Sequence, residues 1–441
     1  MGNLVFGGHR SLCQSEASAT FAQAGRCTTC GDALPPGAAA LSRHLAAHRA
    51  AEDQVEVEVR DEDAQVGGGR AREEIQGEAE LHIRTKLEEI GLRSEAVVPT
   101  PPSPPSVALA ELTSHDFFSD PSGHFAVHEE ALGDVARVAA YRQAIFANRR
   151  LFKGKTVLDV SCGSCLLAML AAQAGAARVI AVDYSAIVET AREIVEENGL
   201  SGVITLVRSR VEELEELPGG VTEVDIILSE WMGFGLFARS SLEAVVAARD
   251  RWLAPEGLIL PDLCTLHIGA MEDLRTREEE LDFWQNVYGL DMSNIATASL
   301  QEPRVEVVGE EAVVTTSCLL LEVDLYTCTL DLPLLSSPFH LEVLRRDFLT
   351  AFFLYFDVTF SHGLERVVLS TRPDEVATRW KQMVLHLQED LLVEEGEQVV
   401  GMVEMVAVGG DTRDMEVRVR WRQEGEVRGA EGEAVYKSRV A

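Results

Sequence analysis

Between residues 156 and 253 short apolar runs alternate with helical stretches, and this alternation constrains the fold more than any other feature of the chain. Thr156-Val157-Leu158-Asp159-Val160 has the composition of a buried strand. An Ala- and Leu-rich stretch follows to Gly175 and reads as a helix. Arg178–Val182 is a second strand, and 185–198 a second helix closing on Asn198-Gly199, residues suited to a left-handed C-cap. Strands at 203–207 and 224–228 and a helix over 240–253 continue the pattern. Strands joined through helices pair in parallel. The expected sheet is doubly wound and Rossmann-like, with ligands at the carboxyl ends of its strands.

After Pro261 the pattern changes to short β-branched or aromatic runs: 305–314, 318–330, 340–344, 351–360, 367–369, 383–387, 399–408 and 415–421. No long helical pattern intervenes, which reads as an all-β barrel or sandwich. A helical excursion at about 273–293 carries Leu281, Phe283, Trp284, Val287 and Tyr288. Ahead of the alternating region, 108–150 is helical in pattern. Residues 1–25 are small and polar and are expected to be disordered. Residues 51–107 form an acidic, Gly- and Pro-punctuated linker, with too little apolar surface to fold alone. The expected organisation is therefore 1–25, a compact unit at 26–50, the linker 51–107, an α/β domain at 108–262 and a β domain at 263–441.

The compact unit has a metal-ligand spacing. Cys27-x2-Cys30 is followed, thirteen residues later, by His44-x3-His48. That matches a tetrahedral zinc site, with the two histidines one helical turn apart and able to reach one ion. Leu34 and Leu41 stand where a C2H2 finger keeps its small core. A single finger reads about three base pairs. The helix before His44 offers Arg43 among Ala and Leu, so protein contact is expected rather than DNA reading. The net charge of −33 points the same way, because an acidic surface repels phosphates and attracts basic partners such as Arg-rich segments. Eight cysteines in 441 residues are too sparse for a disulfide scaffold and indicate a reducing compartment. No basic start with a following apolar run marks a signal peptide. Phe6 occupies the position where myristoylation of Gly2 would want Ser or Thr. No apolar stretch has bilayer length. The expected location is the cytoplasm, with the nucleus also open.

Several segments together resemble the protein arginine methyltransferases over roughly 115–441. They are Phe125-x2-His128-Glu129-Glu130, Asp134, Arg137-x3-Tyr141-Arg142, Val157–Val160, Ala181-Val182-Asp183, Val211-Glu212-Glu213, Ser229–Gly233, Ala248–Pro255, Phe283-Trp284-x2-Val287-Tyr288-Gly289 and Trp380-Lys381-Gln382. The resemblance implies a Rossmann-like S-adenosylmethionine domain, then a β-barrel with a helical dimerisation arm, here at about 273–293. One branch of the family also carries an N-terminal C2H2 finger. For the cofactor the resemblance implies Asp159 and Gly163 in the loop after the first strand, Asp183 on the ribose, Glu212 near the adenine and Arg137 on the carboxylate. For catalysis it implies Glu230, the first of two glutamates that clamp a substrate guanidinium. Phe283, Trp284 and Tyr288 are the implied partner contacts.

Four departures fall on the implied site. The loop after the first strand should carry glycine at three alternate positions, and here these are Ser161, Gly163 and Cys165. A Cβ at either outer position costs about 1–2 kcal/mol if positive φ is required. Position 239 should hold the second glutamate and holds Arg239, expected either to repel a cationic substrate or to fork onto Glu230. Arg379 stands where the family has a histidine paired to the acid at Asp134, and an arginine relays no proton. The cofactor-covering segment reads Phe117-Phe118-Ser119-Asp120-Pro121-Ser122-Gly123, without its tyrosines. Cofactor binding is accordingly expected to be weak or absent. The chain is expected to be an inactive, prozyme-type subunit that binds and activates or stabilises a catalytic paralogue. The alternatives are an active arginine methyltransferase acting on Arg/Gly-rich proteins, or a zinc-finger scaffold recruiting Arg-rich proteins.

Overall fold

The computed structural model describes residues 121–274, 283–330, 335–408, 411–425 and 429–438. The expected finger with Cys27, Cys30, His44 and His48 lies outside the described residues. So do the segment 1–25, the linker 51–107, Phe117 and Phe118, and positions 275–282 of the expected arm.

Three helices lead in: α1 (Phe125–Gly133), α2 (Val135–Ala147) and α3 (Arg149–Phe152). Asp134 separates the first two and caps α2, its Oδ1 accepting from the Arg137 amide at 2.9 Å. The buried residues of α2 are Arg137, Ala140, Tyr141, Ala144 and Ile145, one stripe at helical spacing. An arginine therefore sits on the inward face of this helix.

The α/β part contains β1 (Thr156–Val160), α4 (Leu166–Gln173), β2 (Arg178–Asp183), α5 (Ile187–Glu197), β3 (Ile204–Arg208), β4 (Val224–Ser229), α6 (Leu242–Trp252) and β5 (Leu253–Leu260). Its strands run in the order β3-β2-β1-β4-β5, all parallel. The order reverses between β1 and β4, so the crevice that binds ligands in such sheets opens beyond Val160 and Ser229.

The second part is antiparallel. It comprises β6 (Leu263–Met271), α7 (Ser293–Ser299), β7 (Arg304–Glu306), β8 (Cys318–Asp324), β9 (Leu335–Glu342), β10 (Asp347–Phe360), β11 (Val367–Ser370), β12 (Gln382–Val393), β13 (Gln398–Val408), β14 (Asp411–Glu424) and β15 (Glu431–Ser438). One sheet runs β7-β12-β10-β6-β8 with β11 on β10, and the other β15-β14-β13-β9. These two sheets form the barrel-type region. Phe352, Leu354, Phe356 and Val358 of β10 face the main core, while Ala351, Phe353 and Tyr355 join Met271, Val308 and Val384 on the other side. Burial on both faces explains why 351–356 of β10 reads as an unbroken apolar run.

Two polar anchors join the parts. Asn148 is buried and accepts from the Leu364 and Glu365 amides, while its side-chain amide donates to Ala144 O at 2.8 Å and Glu365 O at 3.3 Å. Arg249 of α6 donates to the carbonyls of Leu325 and Cys328, both at 2.9 Å.

The expected strand at 305–314 is only partly present. β7 ends at Glu306, and Gly309-Glu310-Glu311 bends the chain into a 3-10 turn at Glu310–Ala312. The Val308 amide bonds the Gln382 side chain at 2.7 Å instead of a ladder partner. In the expected arm, the described residues are helical only at 283–285 and then turn.

Candidate active site

Glu230 emerges from the end of β4, beside the end of β1. The Ser229 hydroxyl donates to Val160 O at 3.1 Å, tying the two strand ends. The buried Tyr141 hydroxyl donates to Ser229 O at 2.9 Å, bringing α2 over the crevice. The loop that follows then bonds to itself. Gly233 N donates to Leu236 O, Phe234 and Ala238 exchange two bonds, and Ser241 N donates to Trp231 O. A Cβ at Gly233 would lie 2.0 Å from Ala238 O, so only glycine fits this turn. Trp231, Leu236, Phe237 and Ala238 are buried beneath it. A loop so closely bonded fixes where residue 239 points. Arg239 is exposed, with φ +64°, and is not among the partners of Glu230. The expectation that it folds back onto Glu230 is therefore corrected.

Two other arginines hold Glu230. Arg137, from the buried stripe of α2, pairs with Oε2 and also donates through Nε to Ala131 O at 3.0 Å. Arg379 pairs with Oε1 at 3.2 Å. The carboxylate of Asp134 aligns both, since Oδ1 accepts from the Arg137 amide and Oδ2 from the Arg379 amide at 2.8 Å. Asp134 thus holds Arg379 by its backbone, and the guanidinium is left to reach Glu230 rather than Asp134. The Arg379 guanidinium also lies 5.9 Å from the Trp380 ring centroid, and Trp380 Nε1 donates to Met232 O at 3.0 Å. Burial pulls the Arg137 guanidinium below its ordinary pKa, with Tyr141 opposing and Arg379 adding to the fall. Burial lowers Arg379 as well, with Glu130 and Asp134 opposing. Arginine stays protonated under such shifts. A carboxylate whose two oxygens are both engaged by cations of its own chain is a poorer fork for a substrate guanidinium, which meets two like charges there.

The loop after β1 keeps an unusual path. Ser161, Gly163 and Cys165 all have positive φ, at +61°, +50° and +66°. The left-handed path is thus retained at two positions where a Cβ opposes it. A Cβ on Gly163 would approach the His128 ring to 3.2 Å, and His128 itself contacts Ser122 O at 2.7 Å. Asp183, at the end of β2, accepts from the Gly163 amide through Oδ2 at 2.9 Å and from the Ser185 amide and hydroxyl through Oδ1 at 2.9 and 2.7 Å. Asp159 is 1% exposed, and neither of its oxygens has a well-formed hydrogen bond. Burial pushes its carboxyl up to about 8, with the nearby Ala168 amide opposing and Asp183 adding to the rise. Glu212 is half-buried on a 3-10 turn, Val211–Glu213, whose Glu212 carbonyl accepts from Arg251 at 2.9 Å.

The cradle that S-adenosylmethionine would need is therefore present in backbone path. Its charged holders already have partners within the chain, Asp183 in the loop and Arg137 in Glu230, with which a bound cofactor would compete. Among the described residues, no group of three or more His, Cys, Asp or Glu is placed to hold a metal ion.

Comparison with known proteins agrees with this architecture. Residues 157–257 match the family described as a methyltransferase domain, and residues 262–426 the arginine methyltransferase oligomerization subdomain. Protein arginine N-methyltransferase 1 of Caenorhabditis elegans is 42% identical over 320 residues, covering 73% of this chain and 92% of the relative. The protein of the same name from Dictyostelium discoideum is 41% identical over 331 residues, covering 75% and 96%. Among solved structures, the Trypanosoma brucei PRMT1 enzyme-prozyme heterotetrameric complex with AdoHcy matches with a TM-score of 0.68 at 35% identity, over 73% of this chain and 100% of that one. The open-conformation protein arginine methyltransferase 10 of Arabidopsis thaliana matches with a TM-score of 0.65 at 26% identity, over 72% and 99%.

Proposed function

The chain belongs to the protein arginine methyltransferase family, and within it we propose a non-catalytic regulatory subunit that pairs with a catalytic paralogue and activates or stabilises it. The carrying observation is the occupied carboxylate: Glu230 is held between Arg137 and Arg379, while the position of the second glutamate carries the exposed Arg239. In the family two carboxylates wait for one guanidinium, whereas here two guanidiniums already surround one carboxylate. S-adenosylmethionine binding is weak or absent on this reading, because Asp183 and Arg137 have other partners. The partner contact is the arm, through Phe283, Trp284 and Tyr288. The Trypanosoma structure, named as an enzyme-prozyme heterotetrameric complex, supports pairing with a paralogue. The finger at Cys27, Cys30, His44 and His48 would hold structural zinc and recruit Arg-rich proteins in the cytoplasm.

The test mixes the full chain with a catalytic family member and follows methyl transfer to an Arg/Gly-rich peptide. The chain alone is expected to transfer nothing, and the mixture to co-elute as one complex with altered turnover. An unchanged rate together with separate elution would overturn the proposal.

One observation favours a second reading. The loop 161–165 keeps its left-handed path despite two side chains that oppose it, as a working cofactor cradle would. On that reading the chain is itself a slow arginine methyltransferase. Calorimetric titration of the isolated chain with S-adenosylmethionine separates the two, since micromolar binding supports the enzyme and no heat supports the subunit.

A further inference from the structure

We propose that Cys162 and Cys165 are a dithiol that closes reversibly to an intramolecular disulfide across the loop after β1. Both are free thiols, and their sulfurs are 3.6 Å apart. The Cys165 amide donates to Cys162 O at 2.8 Å, closing a tight turn. Such a turn keeps its end Cα atoms within about 7 Å, and disulfides span about 4.4–6.8 Å between Cα atoms. Rotation about the two side chains is then the main movement that bonding requires.

The backbone at 165 does not favour cysteine, although the side chain is buried in the core. Its φ of +66° is strained for any residue with a Cβ, by about 1–2 kcal/mol. It precedes α4 yet makes no side-chain capping bond there. Glycine would relax the position. Beyond core packing, the cysteine adds the contact with Cys162. Zinc does not account for the pair, because no third ligand gathers with it among the described residues.

With hydrogen peroxide as oxidant the chemistry balances. One thiol sulfur attacks a peroxide oxygen, which breaks the O–O bond and leaves a sulfenic acid and one water. The second thiol attacks the sulfenic sulfur. Hydroxide departs with the thiol proton as a second water, and the two sulfurs together have lost two electrons. At rest the Cys162 thiol is held well above its ordinary pKa by its hydrogen bond with Cys165 and by burial. The reaction is therefore gated by opening of the loop, and it is slow in the closed state. Because the Gly163 amide between the two cysteines is bonded to Asp183, closing the pair fixes the segment that carries that bond.

The test uses the full chain, treated with hydrogen peroxide, quenched, alkylated with iodoacetamide and digested without reductant. The peptide spanning 162–165 is expected to lose both alkylation sites and to weigh two hydrogens less. Dithiothreitol should restore both sites. Two intact alkylated cysteines after treatment, or oxygen added to Cys162 without a link to Cys165, overturns the proposal. Cys165→Gly, which suits the left-handed backbone and should fold, is expected to leave Cys162 without a partner and free to alkylate or to gain oxygen. Protection of Cys162 in that variant when alkylated in denaturant, with no oxygen gained, would also overturn it.

Discussion

Asp159 sits at the floor of the loop after β1, where burial has raised its carboxyl to about 8. A folded-state pKa above the unfolded value means that the native chain keeps a proton the unfolded chain has released. The associated stability is fully present below about pH 4 and is lost as pH climbs through about 8. The loss is at most about 1.4 kcal/mol per pH unit for one group. Asp159→Asn removes the titration and keeps the shape. Between about pH 5.5 and 8 the melting temperature of the native chain should therefore fall relative to that variant. Equal slopes in a thermal scan would show that Asp159 is ionised at neutral pH. Glu230 supports a prediction of opposite sign. Glu230→Gln removes the shared counterion of the buried Arg137 and the half-buried Arg379, and breaking a pair this far from water should cost up to about 3 kcal/mol. A spectator glutamate would change the denaturation midpoint little. Glu230 itself was legible in the sequence, from the strand before it and the loop after it. Its partners were not, because Arg137 lies 93 positions away and Arg379 149, and which long side chain arrives is settled by the Asp134 bonds that align both.

At the scale of elements, the parallel sheet was readable because each strand is a compact apolar run and each connection a helix. Three strands escaped for separate reasons. β5 contains Pro255-Glu256-Gly257, which reads as a turn, and Glu256 has a φ of +62° within the strand. β6 alternates at its start and then buries Ile268 to Met271 without a break, so neither simple period shows. β15 alternates Glu431 and Glu433 with small residues and lies at a sheet edge, where charge discourages further pairing. The junction between the parts was illegible for another reason, since a single asparagine forms much of it. Asn148 alone satisfies two amides and two carbonyls between α2 and the segment 364–365. A Cβ at Gly363 would lie 2.4 Å from the Asn148 side chain, so the contact is close. Asn148→Ala should cost about 2–4 kcal/mol, as buried backbone groups lose their partner. Chemical denaturation reads the loss, and a change under about 0.5 kcal/mol would mean that water replaces the side chain there.

At the scale of the whole molecule, apolar side chains stand exposed on the described part of the arm and in α7 just after it. Tyr288 is fully exposed, Phe283 57%, Leu290 62% and Ile295 46%. Phe283 and Trp284 pack edge to face, and Met292 N donates to Trp284 O at 2.8 Å, so the surface is shaped before any partner arrives. Contiguous exposure of this kind marks an interaction site. The net charge bears on the choice of partner. Two copies that each carry −33 repel one another, while a less acidic paralogue meets a smaller barrier. Added salt screens that repulsion, over a Debye length of about 8 Å at physiological ionic strength. Self-association of the isolated chain should therefore strengthen with salt, and assembly with a less acidic catalytic paralogue should depend on salt much less. Phe283→Ala combined with Tyr288→Ala should weaken the mixed complex at least about tenfold, because aromatic anchors dominate such interfaces. The same variant should keep its melting temperature, since these side chains are exposed in the single chain and surface changes stay within about 0.5 kcal/mol. Sedimentation velocity and thermal scans on the same samples separate the two effects. A mixed complex unaffected by both substitutions would place the partner contact elsewhere, and it would do so without disturbing the clamp on Glu230, which stands on α2, β4 and the Arg379 segment alone.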